Sequence, residues 1–241
     1  IDAPRYGKVV LISGSGSGHE PLNTGYVGVG MLDAACPGGI FTSPTPDQYL
    51  AAMHAVYGKA GALFIMKNFA GGVFNMGMAL EIADDDGYEV ASVLVNDDVA
   101  VNPPSKRRGL GATILVEKLA GAAAEEGRSL TEVTAVAQTV IEQSRSMGAA
   151  LTGCTVPAIG KRTFQLPNGQ LELGVGMHGE RGRRRIPYTG ADQLTELLAR
   201  PILEDLGLGP GDQVLALVSG LGGTPQQELY IVYRHLYQML S

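Results

Sequence analysis

The chain has 241 residues, a formal net charge of −6, and 45% hydrophobic against 17% charged residues. This length predicts two domains rather than a single hydrophobic core, and the acidic balance without a long basic run argues against nucleic acid as a partner. The sequence contains neither a signal peptide nor an apolar run long enough to span a membrane, so we expect a cytoplasmic protein with no membrane partner.

Apolar runs alternate with helical patterns along the chain, which is typical of an α/β fold. Runs that are apolar throughout and close on Gly, Asn or Asp predict strands buried on both faces. The predicted strands are Val9–Ser13, Ala62–Met66, Val90–Val95 and Val214–Val218. We therefore expect two α/β domains with mixed, mostly parallel sheets flanked by helices.

Capping signals predict where three helices begin. Thr45-Pro46 and Thr224-Pro225 place Thr at the N-cap and Pro at the first helical position, and each is followed by Gln where a capping box needs it. Ser129 and Glu132 form a further capping box, and a helical period follows until Gly148. The domain boundary is placed near residue 145, giving an N-terminal domain of residues 1–145 and a C-terminal domain of residues 146–241.

Two glycine-rich loops each present one of the four histidines. His19 lies in the segment Gly14–Glu20 after the first strand, and His178 lies in the segment Gly174–Glu180. A glycine-flanked backbone can approach a small ligand closely and can adopt positive φ. Both imidazoles are therefore predicted to face a ligand, the alternative for each being a histidine satisfied within its loop.

The first loop does not carry a nucleotide fingerprint. Its glycines have the spacing Gly14, Gly16, Gly18, and Asp33 precedes the next apolar strand instead of ending it, which argues against a dinucleotide site. No Gly-Lys-Ser/Thr follows, as a P-loop requires.

The two cysteines, Cys36 and Cys154, fit neither the spacing of a disulfide nor that of a metal site, and both are expected to be buried thiols.

Further short motifs follow these loops in a fixed order. Those that carry the pattern are Gly-Ser-Gly-His-Glu-Pro at 16–21, Gly25-Tyr26-Val27-Gly28, Ile40–Pro44, Lys67-Asn68, Val95–Val99, Arg107-Arg108-Gly109, Gly121–Glu125, Cys154–Pro157 and Gly176–Glu180. Their order, from about residue 3 to about residue 237, resembles the dihydroxyacetone-binding K subunit, or K domain, of dihydroxyacetone kinases.

The resemblance implies a role for particular residues. His178 stands where the family's histidine adds through an imidazole nitrogen to the substrate ketone and forms a hemiaminal, and Glu180 or a backbone carbonyl would fix its other nitrogen. His19 stands where a histidine hydrogen-bonds the substrate and has an acid/base role. The implied substrate contacts are Gly16, Ser17, Gly18, His19, Lys67 and the position of Gly72.

One position departs from the family pattern. An aspartate that serves the family as a base toward the substrate hydroxyl is replaced here by Gly72. Phosphoryl transfer should then be slow unless His19 or Asp97 takes over, whereas capture of the ketone by His178 needs no base at position 72.

The first hypothesis for the function is an enzyme of glycerol metabolism that transfers phosphate to an alcohol group. The alternatives are a catalytically impaired triose-binding sensor or coregulator, and a kinase subunit for a related ketose.

The implied partners are dihydroxyacetone, a second copy of the chain in a homodimer, and a separate L-type subunit. ATP or ADP with Mg²⁺ is expected on that L-type subunit, and no cofactor or metal bound tightly to this chain. The phosphoryl donor, ATP or a phosphotransferase system, stays open.

Two further clusters each have two interpretations. Asp97-Asp98 is either a metal-binding pair or a structural pair. The arginines after His178 form either a solvated loop or a basic cluster that attracts a partner's triphosphate. These arginines are Arg181, Arg183, Arg184 and Arg185.

Overall fold

The computed structural model describes residues 3–241 and divides into two compact units. The first unit runs to Asp97 and resumes at Arg108–Ser144, and the second comprises Asp98–Arg107 and Arg145–Ser241. The strands are β1 (Val10–Ser17), β2 (Ala34–Ile40), β3 (Ala62–Lys67), β4 (Val90–Val95), β5 (Ala149–Ala150), β6 (Thr155–Val156), β7 (Lys161–Arg162), β8 (Gln170–Leu173) and β9 (Arg184–Pro187). The helices are α1 (Pro46–Val56), α2 (Ala70–Asp85), α3 (Ala112–Glu125), α4 (Leu130–Glu142), α5 (Ala191–Leu206) and α6 (Gln226–Leu240).

The first unit is built on a four-stranded parallel sheet in the order β2-β1-β3-β4. In this register Ile12 of β1 lies opposite Ala34 of β2 and Phe64 of β3. The three strands predicted in this part of the chain are confirmed, with β1 extending through the first glycines. The segment Gly14–Glu20 is called the first glycine turn from here on. Because parallel strands end at a common edge, this turn and Lys67 at the end of β3 lie on the same side of the sheet.

Helices cover both faces of this sheet, which explains why its strands are apolar throughout. Leu11 and Ile65 face a core cluster that includes Val116 of α3 and Val133 of α4. Their neighbours along the strands face a second cluster, formed with α1 and α2, that includes Ile12, Phe64, Tyr49, Met53 and Met76. The alternation of Leu11 and Ile12 between the two clusters is the period of two expected for a strand. The α/β class is therefore confirmed.

The predicted helix starts are confirmed at two positions and shifted at the third. Thr45 is the N-cap of α1, and Ser129 is the N-cap of α4, where its backbone N–H donates to the Glu132 carboxylate at 2.9 Å. The helix predicted from Thr224-Pro225 begins one residue later than expected, because Pro225 itself is the cap residue of α6. No helix within residues 3–241 has the length and apolar character needed to cross a membrane.

The second unit contains antiparallel strands rather than a parallel sheet. A three-stranded sheet has the order β5-β8-β9, β6 and β7 form a separate pair, and α5 packs on α6. The strand predicted over Val214–Val218 is wrong: these residues are irregular, and Leu215 is 77% exposed. The reason is that no other strand among the residues described here pairs with this segment, and an isolated extended run has no ladder of hydrogen bonds.

The two cysteines lie in different surroundings. Cys36 is buried, as expected, and burial raises the pKa of its thiol to about 12. The prediction is wrong for Cys154, which is exposed. Cys154 precedes the β6–β7 ribbon, a two-stranded element with no core of its own, so its side chain is left at the surface.

Asp205, near the end of α5, links three segments of the second unit. Its carboxylate accepts from both terminal nitrogens of Arg107, at 2.9 and 2.5 Å, and from Nε of Arg145 at 2.5 Å. The hydrogen bonds from Arg107 lower the pKa of Asp205 from 3.8 to about 2, and they outweigh the smaller opposite effect of burial.

We predict that Asp205→Asn makes the chain less stable near neutral pH and removes part of its acid sensitivity. Because the pKa of Asp205 is lower in the folded chain, the carboxylate contributes stability above about pH 4, and this contribution is lost as the pH falls toward about 2. Urea unfolding at about pH 6 and about pH 2.5 measures the difference. Asp84→Asn, at an exposed position of α2, is the control. An equal effect of Asp205→Asn at both pH values would contradict the prediction.

Candidate functional site

The first glycine turn brings two stretches of backbone into close contact. A Cβ at Gly16 would overlap the backbone of Phe41, with its carbonyl carbon only 2.7 Å away, and Gly18 has a φ of +101°. The Ser17 hydroxyl donates to the carbonyl of Gly38 at 2.7 Å and ties the turn to β2. A shallow surface depression at this turn is lined by residues that include Ser15, Gly16, Ser17 and Asn23.

His19 is held by its own turn. Its Nδ1 lies 2.7 Å from the carbonyl oxygen of Gly16, and the imidazole makes a T-shaped contact with the Phe41 ring at a centroid distance of 5.2 Å. A carbonyl only accepts hydrogen bonds, so Nδ1 carries the proton and, in the neutral ring, the lone pair is on Nε2. In this tautomer Nε2 is the nitrogen that could accept a proton, and this atom is buried in the structure.

Lys67 is brought to the same turn by the pairing of β3 with β1. Its ammonium nitrogen lies 3.1 Å from the carbonyl oxygen of Gly14, and the residue is 7% exposed. Burial lowers the pKa of Lys67, and the nearby carboxyl of Glu117 acts in the opposite direction. Of the predicted contacts, the structure thus joins Lys67 directly to the first glycine turn.

Two buried polar residues near Lys67 were not foreseen from the sequence. Glu117 has no exposed surface, and Asn23 is 2% exposed. The amide of Asn23, turned to satisfy its neighbours, donates to Glu117 Oε1 at 2.9 Å and accepts from Lys67 at 3.3 Å. A signal for Glu117 does exist, because it shares a face of α3 with Thr113 and interrupts an otherwise apolar buried surface.

Gly72 lies in the first turn of α2, three residues after the cap residue Phe69. A Cβ at this position would have ordinary contacts, at 3.7 Å from the hydroxyl of Ser43 and 3.8 Å from the carbonyl of Lys67. The structure therefore does not require glycine at position 72. No acidic residue occupies this first turn, where a negative charge is favourable.

Asp97 has a structural role at the start of α3. Its two carboxylate oxygens accept from the backbone N–H groups of Leu110, at 2.7 Å, and of Ala112, at 3.0 Å, and the residue is fully buried. Asp98 accepts from the backbone N–H of Ala100 at 2.9 Å. The pair thus satisfies backbone donors, and no group of three or more His, Cys, Asp or Glu within residues 3–241 could hold a metal ion. Asp97 is not placed to replace a missing base.

The second glycine loop is the connection between β8 and β9. Its neck is closed by the N–H of Arg183, which donates to the carbonyl of Leu173 at 2.7 Å, and by the N–H of Gly182, which donates to the buried carboxylate of Glu172 at 3.0 Å. A Cβ at Gly182 would overlap the backbone of Gly174 at 3.0 Å and that of Leu173 still more closely. Glycine is therefore required where the two strands of the neck meet.

His178, in this loop, is held by Glu180 at two points. One carboxylate oxygen accepts from the backbone N–H of His178 at 3.0 Å, and the other lies 2.8 Å from Nδ1 of its ring. Burial is the largest single effect and acts to raise the pKa of Glu180, but the hydrogen bond from the His178 ring, the backbone N–H donors and the charge of the ring together leave the pKa below its usual range. The ionised carboxylate fixes the proton on Nδ1, so the lone pair of the neutral ring is on Nε2.

The arginines after His178 do not form one basic patch. Arg183 donates to the carbonyls of Ala100, at 3.0 Å, and of Val99, and Arg185 pairs with Glu172 at 2.7 Å. Arg183 thus fastens the loop neck to residues 99 and 100, and Arg185 reinforces it. These contacts within the chain argue against attraction of a triphosphate by Arg183 and Arg185, and they give both side chains a structural role instead of the expected solvated loop.

Comparison with known proteins identifies a family and close relatives. The Dak1 domain model matches residues 1–241. The chain is 43% identical over 262 residues to the dihydroxyacetone-binding subunit DhaK of the PEP-dependent dihydroxyacetone kinase of Escherichia coli K12, covering 98% of this chain and 74% of that subunit.

Two solved structures share the fold along nearly the whole chain. The dihydroxyacetone kinase of C. freundii, in complex with AMP-PNP and Mg²⁺, superposes with a TM-score of 0.87 at 39% identity, covering 98% of this chain and 43% of that enzyme. The dihydroxyacetone kinase operon co-activator DhaQ superposes with a TM-score of 0.92 at 32% identity, covering 97% of this chain and 73% of the co-activator.

The hydrogen bond between Glu180 and His178 predicts the tautomer of the ring. In Glu180→Ala the acceptor at Nδ1 is lost, so we expect the fraction of the Nε2–H tautomer of His178 to rise, as read from ring ¹⁵N chemical shifts at about pH 8, where an ordinary imidazole is neutral. Glu180→Gln keeps an oxygen acceptor and is the control. Unchanged shifts in Glu180→Ala would contradict this assignment.

Proposed function

This chain belongs to the Dak1 domain family, and from that membership we propose that it binds dihydroxyacetone and holds it on His178 for phosphoryl transfer. The observation that carries the proposal is the contact of Glu180 with Nδ1 of His178 at 2.8 Å. It leaves the lone pair on Nε2, which makes this nitrogen the nucleophile. The names of the relatives support the substrate, because both the Escherichia coli subunit and the C. freundii enzyme are described as acting with dihydroxyacetone.

In the addition step, Glu180 is the group that stabilises the positive charge that develops on the His178 ring. Nε2 of His178 bonds to the carbonyl carbon, and the π electrons of the C=O bond move to oxygen, which takes a proton from solvent. The ring then carries positive charge, which the ionised Glu180 carboxylate stabilises through Nδ1–H, and release of one ring proton to solvent replaces the proton that the oxygen took up. The product is a neutral hemiaminal, and the lowered pKa of Glu180 favours the ionised form that this step needs.

A covalent bond suits a ligand of this size. A triose has little apolar surface, and burial stabilises a complex by only about 25 cal/mol per Å². Addition to the carbonyl supplies the missing affinity and also excludes glycerol, which has no carbonyl group.

The first glycine turn supplies the polar contacts in this proposal. The family resemblance is what assigns Gly16, Ser17, Gly18 and Lys67 as contacts of the triose in this proposal. Since both oxygens of Asp97 are held by backbone N–H groups, His19 is the remaining candidate to receive the hydroxyl proton when phosphate is transferred, through Nε2.

The phosphoryl donor belongs to a partner in this proposal. An L-type subunit brings ATP or ADP with Mg²⁺, a view supported by the AMP-PNP and Mg²⁺ in the C. freundii complex, of which this chain covers 43%. A homodimer and a cytoplasmic location are parts of the same proposal.

A second candidate function is that of a triose sensor that engages a regulator. Two observations favour it: Gly72 offers no carboxylate to accept a proton, and the fold matches that of an operon co-activator at 32% identity. Capture of the ketone on His178 is common to both functions, and turnover separates them.

We predict that His178, and not His19, forms the covalent bond. With [2-¹³C]dihydroxyacetone and ¹⁵N-labelled histidine, the unaltered chain should show a tetrahedral carbon with a one-bond coupling to nitrogen, because the carbonyl carbon is bonded to Nε2. His178→Asn should lose this signal, whereas His19→Asn should keep it. A coupled signal that persists in His178→Asn would contradict the proposal.

We predict that Gly72→Asp is tolerated and restores a base. The position has room for a side chain, and an acidic residue in the first turn of α2 should stabilise the chain by about 1 kcal/mol in urea unfolding. If the missing carboxylate limits the reaction, turnover with an L-type partner should rise at least about tenfold. Gly72→Asn has the same shape without the base and is the matched control. A stable Gly72→Asp variant with no gain over Gly72→Asn would favour the sensor function.

A further inference from the structure

Residues 98–100 form a short turn, called the shelf below, whose shape is held by a buried side chain. The Asp98 carboxylate is fully buried and accepts from the backbone N–H of Ala100 at 2.9 Å, two residues further along the chain. The N–H of Val99 donates to the carbonyl of Ser146 at 2.9 Å. A side-chain acceptor bound two residues ahead fixes the conformation of a turn. The carbonyl groups of Val99 and Ala100 are therefore held in fixed directions.

The neck of the second glycine loop lies against this shelf. A Cβ at Gly174, on the first arm of the neck, would come within 2.8 Å of the Cβ of Ala100. On the second arm, Nε of Arg183 donates to the carbonyl of Ala100 at 3.0 Å, and Nη2 donates to the carbonyl of Val99. A guanidinium is planar and rigid, so two hydrogen bonds from one group fix both the distance and the angle between the neck and the shelf.

Contacts within the loop transmit this constraint to His178. Glu180 binds both the backbone N–H of His178, at 3.0 Å, and Nδ1 of its ring, at 2.8 Å. The carbonyl of Glu180 in turn accepts from the N–H of Gly176 at 3.1 Å, which closes the loop on itself. The imidazole therefore moves together with the loop, and the direction of its Nε2 lone pair follows the position of the neck.

We propose that Arg183 is a positioning residue for capture of the ketone, because it aims the His178 loop by fastening its neck to the shelf. The inference rests on the proposed function, in which Nε2 of His178 bonds to a carbonyl carbon. A nucleophile reacts quickly when its lone pair already points along the line of attack, and a misplacement of about 1 Å can cost about a hundredfold in rate.

The proposal predicts unequal effects on the two directions of the reaction. Without Arg183 the loop samples more orientations, so a smaller fraction of encounters with the ketone forms the bond. Cleavage starts from an adduct in which the ring is already bonded to the ligand, so its rate depends much less on how the free loop is held. Bond formation should therefore slow, and bond cleavage should not.

Arg183→Ala in the full chain, with dihydroxyacetone labelled with ¹³C at its carbonyl carbon, tests this inference. Saturation transfer between the free carbonyl signal and the tetrahedral signal gives the rate constants of bond formation and of bond cleavage separately. We expect bond formation to be about tenfold slower in Arg183→Ala. Bond cleavage and the ring ¹⁵N shifts of His178 should be unchanged, since the contact with Glu180 is retained. Arg184→Ala, at the exposed first residue of β9, is the matched control and should leave both rate constants unchanged.

An unchanged rate constant of bond formation in Arg183→Ala would overturn the inference, and so would an equal slowing in Arg184→Ala or an equal slowing of formation and cleavage. Altered ring shifts of His178 in Arg183→Ala would also overturn it, because Arg183 would then maintain the shape of the loop rather than its direction.

If Arg183→Ala does not fold, hydrogen exchange at the arginine Nε–H groups of the unaltered chain decides the question. Slower exchange at Arg183 than at Arg184 supports the inference, and equal exchange overturns it. Failure of the proposed function is seen separately, as the absence of the nitrogen-coupled tetrahedral carbon in the unaltered chain.

Discussion

The parallel pairing of β1 with β3 is the constraint on which the candidate site of the first unit depends. Val10 to Ser13 lie opposite Ala62 to Ile65, so β1 and β3 end at the same edge of the sheet. Beyond Ser13 the glycines of β1 pair with β2 and no longer with β3, and the side chain of Lys67 at the end of β3 is long enough to reach the carbonyl of Gly14. Helices on both faces fix this register, since a shift by one residue would exchange the two core clusters.

The second glycine loop also fixes the tautomer of a histidine, but it does so through different contacts. No parallel sheet supports it; instead an antiparallel hairpin is closed at its neck by Glu172 and by the contacts of Arg183 with residues 99 and 100. The two histidines thus share a tautomer, with the proton on Nδ1, but not its origin. A backbone carbonyl fixes His19, whereas a carboxylate fixes His178, and the charged carboxylate stabilises a positive charge on the ring more strongly than the carbonyl does.

Local signals in the sequence predicted most of the first unit. Apolar runs marked its strands, capping boxes marked α1 and α4, and the ordered motifs led to the family that the comparisons confirm. What could not be predicted depends on partners distant in the chain. Val214–Val218 has the composition of a strand, but no strand in the part of the chain that the structure describes pairs with it. The contacts of Glu117 with Lys67 and Asn23 arise only when folding brings these distant residues together. The assignment of His19 and His178 to ligand binding stays a prediction.

Glu180 contacts His178 at two points, and these contacts restrict how the imidazole can move. One carboxylate holds both the main chain and the ring of His178, so the imidazole has little scope to swing about its own χ angles. Any change in the direction of its Nε2 lone pair must then come from bending of the hairpin as a whole. In the proposed reaction, approach to the ketone would then be governed by the stiffness of a peptide segment rather than by rotamer exchange, and this would lower the entropy lost when the bond forms.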